Sequence, residues 1–200
     1  MAPERNWDER YREDNTPWDT GETCHCLTRW FARQSESFGK VLEIGCGRGN
    51  NAIWLARQGL SVTATDVSAE AIAIAKRRAD EAEVDVTFLV NDIRDGVPVD
   101  PQSIDLAFDR GVFHVFEPDG RDLFVRRLFD ALRPSAHWLS IAGNADEESP
   151  EGQGPPRLSA CDVVTPAEPR FSLVSLEPVR LSTRFGEPLF WQAHWRRREG

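Results

Sequence analysis

Residues 41–49 read Val-Leu-Glu-Ile-Gly-Cys-Gly-Arg-Gly. The apolar start has the length and composition of a buried strand. Glycine at every second position, Gly45, Gly47 and Gly49, then gives a loop whose backbone can turn sharply and approach a ligand with no Cβ in the way. Ala52, Leu55 and Ala56 fall on one face of a helix over Asn51 to Gln58, closed by Gly59. The loop therefore lies at a strand's carboxyl end and at the positive end of a helix dipole, a place that suits a nucleotide-like ligand.

Outward from there, the same unit repeats. Ser61 to Thr65 is a second strand ending in Asp66, Val86 to Val90 a third ending in Asn91-Asp92-Ile93, and Ile104 to Phe108 a fourth ending in Asp109-Arg110-Gly111. A helix over Ser68 to Glu83, with Ile72, Ala75, Ala79 and Ala82 on one face, separates the second strand from the third. Another over Arg121 to Arg133, with Phe124, Leu128 and Leu132, follows the fourth and is stopped by Pro134. Strands alternating with helices predict a parallel sheet whose carboxyl ends bring the glycine loop and three acids to one crevice. Asp66 is placed to accept ribose hydroxyls, or else leads into a helix capped by Ser68. Asp92 sits in a stretch of Asn, Asp and Gly that also suits a plain turn.

The dinucleotide fingerprint wants its third glycine where Asn50 stands. Glu43 two residues ahead of Gly45, the alternate glycines, and the acids after the second and third strands instead resemble class I methyltransferases that use S-adenosyl-L-methionine. The resemblance implies an α/β fold: a single-domain, seven-stranded Rossmann-like sheet, mostly parallel with an antiparallel last strand, and helices on both faces. It implies that the cofactor is held by Glu43, Gly45, Cys46, Gly47 and Asn51 around the loop, and by Asp66 and Val67 after the second strand. Asp92 would meet the adenine amino group with Ile93 against the ring, Asp109 would face the methionine ammonium or cap the next turn, and Trp18 would cover the sulfonium. A fifth strand, His137 to Ala142, and a closing hairpin of Phe171 to Glu177 and Leu189 to Trp195 complete the seven. The turn Arg133-Pro134-Ser135-Ala136-His137 departs from the Pro-Gly-Gly common in the family, which predicts altered turn geometry. The chain divides into a helical cap (1–37), a cofactor-binding core (38–142) and a last part with a lid loop, a helix and the hairpin (143–200). Residues 143–157, nearly free of large apolar side chains, are either that lid or a solvated connector.

Composition limits the partners. At 200 residues the chain is one domain with room for a core. A net charge of −9 argues against nucleic acid or an anionic membrane, since phosphate binding needs a basic surface. No stretch approaches the ~20 apolar residues of a membrane span, and the start lacks an apolar signal region, so a cytoplasmic protein is expected. Four scattered cysteines do not make a disulfide framework. The expected partner is a small-molecule acceptor, with the protein a monomer or homodimer.

Methyl transfer from a sulfonium is an in-line displacement that needs alignment and exclusion of water. Asp109, Arg110 and His114, clustered after the fourth strand, are the candidates for activating or orienting an acceptor. His114 could equally be packed at a helix start, and Arg110 could pair with Asp109 or Asp105. Near the amino terminus, Asn6 and Glu9 suit a helix start, and Trp7 and Tyr11 share a face. With Pro17-Trp18-Asp19 and Asp109-Arg110-Gly111-Val112-Phe113-His114, they resemble the small-molecule branch that includes thiopurine, thiol/halide and tellurite-resistance methyltransferases. That branch implies a thiol or similar soft acceptor. An oxygen or nitrogen acceptor, and a protein that binds the cofactor without turnover, stand beside it. Cys24-His25-Cys26 offers soft ligands, but the spacing closes poorly around one ion, so no metal is expected.

Overall fold

In the computed structural model, which describes residues 6–148 and 154–199, seven strands form one sheet. They are β1 (Lys40–Ile44), β2 (Ser61–Asp66), β3 (Thr87–Val90), β4 (Ile104–Arg110), β5 (Leu132–Gly143), β6 (Phe171–Arg180) and β7 (Leu189–Arg197). Their order is β3-β2-β1-β4-β5-β7-β6. β1 to β5 pair in parallel, and only β7 runs against its neighbours β5 and β6. This is the architecture the sequence predicts.

Six helices cover both faces: α1 (Trp7–Arg12), α2 (His25–Phe31), α3 (Asn50–Arg57), α4 (Ala69–Glu81), α5 (Pro118–Ala131) and α6 (Ala160–Ala167). Because successive strand residues point to opposite faces, β1 divides its side chains between two cores. Val41 joins Leu27, Leu55 and Ile72 on the α2–α3–α4 side, while Leu42 and Ile44 join Phe124, Leu128 and Val163 on the α5–α6 side.

Local chemistry explains several element ends. Ser68 caps α4 by accepting from the Ala71 amide. Gly49 begins α3 at φ +79°, and a Cβ there would lie 3.1 Å from both Ala75 and Phe88, so neither conformation nor space admits another residue easily. Helix α5 starts at Pro118 and stops at Ala131, earlier at both ends than the periodicity predicts. Pro134 biases the residue before it toward extended backbone, and β5 starts already at Leu132, five residues ahead of its expected start. Ser135 takes φ +62°, the left-handed conformation a glycine would supply, and β4–β5 pairing shifts register between Ile104 and Leu106. Strand β6, at the sheet's edge, shifts register between Leu173 and Ser175, leaving Val174 54 % exposed.

The expected lid is tied down at its described ends. Leu158 donates to the Gly143 carbonyl and Ala145 donates to Leu158, at 2.8 and 2.9 Å. Its middle, residues 149–153, lies outside the described residues, as do residues 1–5 of the cap. The four cysteines are free thiols. No helix among the described residues is long and apolar enough to cross a membrane.

Two buried histidines join β5 to β7. His137 Nδ1 lies 2.8 Å from His194 Nε2, and His137 Nε2 lies 3.2 Å from Glu36, which also pairs with Arg196. Burial lowers the pKa of both, that of His194 to about 4. The folded pair therefore stays neutral while unfolded imidazoles take up protons near ~6.5, so its contribution is present above that pH and is lost as pH falls toward the folded values. A His137→Phe/His194→Phe variant is expected to gain melting temperature relative to the parent between about pH 7.5 and about pH 5. A difference that does not change with pH would show that the pair does not titrate.

Candidate active site at the carboxyl edge of the sheet

Glu43 is the most constrained group at this edge. It points to the α3 side of β1, is buried, and has its pKa pushed up to about 8, chiefly by burial. Asn51 Nδ2 donates to its Oε1 at 2.9 Å, and Asn51 Oδ1 accepts from the Cys24 amide at 2.8 Å. Its second oxygen, Oε2, is buried with no hydrogen-bond partner among the described residues, a position that a polar group of a ligand would satisfy.

The glycine loop beside it is a cradle in which side chains have no room. A Cβ on Gly45 (φ +68°) would meet Val112 Cγ2 at 2.1 Å, and one on Gly47 (φ +54°) would meet the Tyr11 hydroxyl at 2.8 Å. Cys46, between them, is buried and its thiol is held protonated by burial and by the nearby acids Glu43 and Asp66. The Gly47 amide donates to Asp66 Oδ2 at 2.8 Å, and Ser68 donates to Asp66 Oδ1 at 2.9 Å. Asp66 thus braces the loop against β2, and each of its oxygens keeps a lone pair for a further donor. Asp66 also leads into the helix that Ser68 caps, the alternative reading of this residue. Val67, next along, is 45 % exposed at the rim.

At the end of β3 the geometry departs from expectation. Asp92 accepts from the Arg94 amide at 2.8 Å and pairs with the Arg94 guanidinium at 2.5 Å, so the turn reading describes it in this state. Ile93 is buried in the α5-side core instead of standing free for a ring.

The segment after β4 is split. β4 continues to Arg110, two residues beyond its expected end, so Asp109 and Arg110 point to opposite faces. Asp109 is fully buried on the α5 side, accepting from the Phe113 amide at 3.1 Å and the Trp138 indole at 2.9 Å. Burial raises its pKa to about 6. The expectation that Asp109 faces an acceptor or the methionine ammonium gives way to the alternative, a cap of the next turn. Arg110 faces the other side, where it donates to the Ser182 carbonyl at 3.4 Å and bears electrostatically on Cys24. It pairs with neither Asp109 nor Asp105, the latter being taken by Arg133 and by the Gly39 and Lys40 amides. His114 is buried, and its Nδ1 accepts from the Gly143 amide at 2.7 Å, which places the proton of the neutral ring on Nε2.

The amino-terminal segment lies over the loop. Asp8 of α1 accepts from Ser68 Oγ at 2.6 Å, and Trp7 and Tyr11 meet Trp18 edge to face at 5.7 and 6.3 Å. The cation on the Trp18 face is the Arg10 guanidinium, 4.5 Å from the ring centre, so the expected cation-π partner is already supplied from within the chain. Sequence reasoning missed the Tyr11 hydroxyl on Gly47 and the chain Cys24–Asn51–Glu43. Only the helical spacing of Trp7 and Tyr11 hinted at the first. Cys24 and Cys26 are both buried in the α2-side core, and no group of three potential metal ligands is found among the described residues.

A family model described as a methyltransferase domain matches residues 41–135. Thiocyanate methyltransferase 1 of Brassica oleracea is 26% identical over 92% of this chain and 82% of its own length. The protein of the same name in Arabidopsis thaliana is 26% identical over 69% of this chain, which spans 61% of that relative, less than two thirds. A solved structure described by the conversion of a disulfide bond into a thioacetal group during echinomycin biosynthesis superposes with a TM-score of 0.85 at 23% identity. That match covers 96% of this chain and 91% of the other.

Glu43 sets a test of this geometry. With a folded pKa raised above the unfolded value, its contribution is full below the unfolded pKa and is lost as pH rises toward about 8. Glu43→Gln, which keeps the Asn51 hydrogen bond, is expected to gain melting temperature relative to the parent from about pH 5 to about pH 8 and to hold a constant difference above that. A difference flat throughout would mean that Glu43 is already ionised in the folded protein.

Proposed function

We propose that this chain is a class I methyltransferase that uses S-adenosyl-L-methionine, as the methyltransferase-domain match over residues 41–135 and the thiocyanate methyltransferase relatives support, and that it methylates a thiol or another soft small molecule that arrives as an anion. The charge at the end of β4 carries this choice. Arg110 brings a guanidinium that has no carboxylate in ion-pair contact among the described residues, Asp109 is shut away on the other face, and His114 already carries its proton on Nε2. Positive charge without a carboxylate placed to take a proton suits a thiol, with an ordinary pKa near ~8.5, better than an alcohol, which needs a firm base. The name of the thiocyanate methyltransferases refers to a soft sulfur-bearing anion and supports the same reading.

The residues present fit the cofactor. Gly45 and Gly47, at positive φ, let the loop backbone turn with no Cβ on it, Asp66 has acceptor capacity left for ribose hydroxyls, and the orphaned Oε2 of Glu43 is a buried polar atom that a polar group of the ligand would satisfy. The bound cofactor supplies a methyl carbon on a positively charged sulfur. In this reading Arg110 orients the anionic acceptor and His114 donates through Nε2 without abstracting a proton. Trp7, Tyr11 and Trp18, the cap of residues 1–37, exclude water, which strengthens attraction between the reacting charges. We place the protein in the cytoplasm, acting on a small molecule as a monomer or homodimer, with no nucleic-acid or membrane partner; the charge of −9 supports the last point.

Calorimetric titration with S-adenosyl-L-methionine and S-adenosylhomocysteine, followed by product detection on thiols, thiocyanate, phenols and amines, tests this. Binding of both with turnover on the sulfur nucleophiles is expected, and turnover confined to phenols or amines would overturn the choice of acceptor. Arg110→Ala is expected to raise KM for thiols roughly tenfold or more. His114→Ala should lower turnover by the same factor at pH 7 and pH 9; a larger loss at pH 7 would restore a base role.

A further inference from the structure

The amino-terminal segment is fastened from two sides through two aspartates. Asp14 pairs with Arg48 of the glycine loop at 2.5 Å and with Arg184, in the loop between β6 and β7, at 3.0 Å. Asp19 pairs with Arg48 at 3.4 Å and accepts from the Asn50 side chain at 2.9 Å. Arg184 also donates to the Asp19 and Asp14 carbonyls at 3.0 and 3.1 Å, and its own amide donates to the Pro17 carbonyl at 2.9 Å. One arginine from near the end of the chain therefore grips both ends of the stretch 14–19, which carries Trp18, while α1 immediately before it lays Tyr11 on Gly47. The same loop reaches the acceptor side, where the Ser182 carbonyl receives Arg110.

We propose that Arg184 is a positioning residue, the latch that shuts the amino-terminal cover over the cofactor cleft and sets how fast the cofactor product leaves. The inference rests on the reading that the glycine loop holds the cofactor. With Tyr11 against Gly47, a ligand on the loop can enter or leave only when α1 and the 14–19 stretch lift, and lifting them breaks the Arg184 contacts. Of the Arg184 contacts one is a largely solvent-exposed ion pair, to Asp14, and the others are hydrogen bonds to backbone carbonyls; each is weak and the ion pair is screened by salt, so the latch can open at thermal energies. The two guanidiniums hold Asp14 well below the usual carboxylate range. The latch should therefore respond to ionic strength and not to pH between 5 and 9. Because Arg184 and Arg110 belong to, or touch, one loop, closing the cover and organising the acceptor side are a single movement.

Two measurements test the latch. Stopped-flow recording of intrinsic tryptophan fluorescence, to which Trp7 and Trp18 of the cover contribute, gives the dissociation rate of S-adenosylhomocysteine from the whole protein. Arg184→Gln is expected to speed it roughly tenfold at low salt and to reduce its salt dependence, the Arg48 pairs with Asp14 and Asp19 keeping the remainder, with Arg184→Lys between the two. Amide hydrogen exchange on the ligand-free protein should show faster exchange in residues 7–19 of Arg184→Gln with unchanged protection in β1 and β4, which also shows that the variant folds. A dissociation rate and salt response equal to the parent's, or unchanged exchange over 7–19, would overturn the proposal. If the parent binds no S-adenosylhomocysteine, the cofactor reading fails by itself, and the exchange experiment still decides whether Arg184 holds the segment.

Discussion

A carboxyl group buried without a counter-ion governs this site. An ionised carboxylate removed from water costs several kcal/mol unless paired and hydrogen-bonded, and among the described residues the side chain that hydrogen-bonds Glu43 is the neutral amide of Asn51. The group therefore keeps its proton. Asn51 in turn receives the amide of Cys24, so one side chain of α3 fixes the strand before the glycine loop and the start of α2 together. The loop geometry, the position of the cover's root and the unsatisfied Oε2 all follow from that three-element junction.

The second constraint is the alternation of side chains along a strand. At the end of β4 it sends Arg110 to the side of the glycine loop and Asp109 to the α5 side, although the two are adjacent in sequence. Asp109 stabilises the turn to Phe113 and receives the Trp138 indole, and so contributes to packing on the α5 side. Arg110 is left among neutral partners on the side of the glycine loop. Chemistry at this edge is set by which face each residue reaches more than by which residues are present.

Much of the fold was legible because its signals are local. Alternate glycines, Ser68 before an apolar helical face, and acids at strand ends each state their structure within about ten residues, and β1, β2, α3 and α4 match their expected ranges closely. The site was less legible where a strand ran on past its apolar stretch. Nothing in Phe108-Asp109-Arg110 signals that pairing with Ser140 and Ile141 extends β4 by two residues, yet that extension decides which face Asp109 reaches. Contacts between distant segments carry no local signal either. Arg184 with Asp14, Tyr11 with Gly47 and His137 with His194 bring together residues dozens to more than a hundred positions apart, and only the folded sheet juxtaposes them. Asp92 shows a third limit, since an arginine two residues on claims a carboxylate that the motif assigns to a ligand.

The register shift at Val174 bears on how the molecule behaves among its own copies. Strand β6 leaves one side without a neighbouring strand, and an uninterrupted row of amides and carbonyls there would template pairing with a second chain. The bulge twists that row out of line, and Pro178 withholds an N–H further along it. The apolar side chains at the rim, Leu173 and Val174, are thereby kept from lying along a flat, pairing-competent strand.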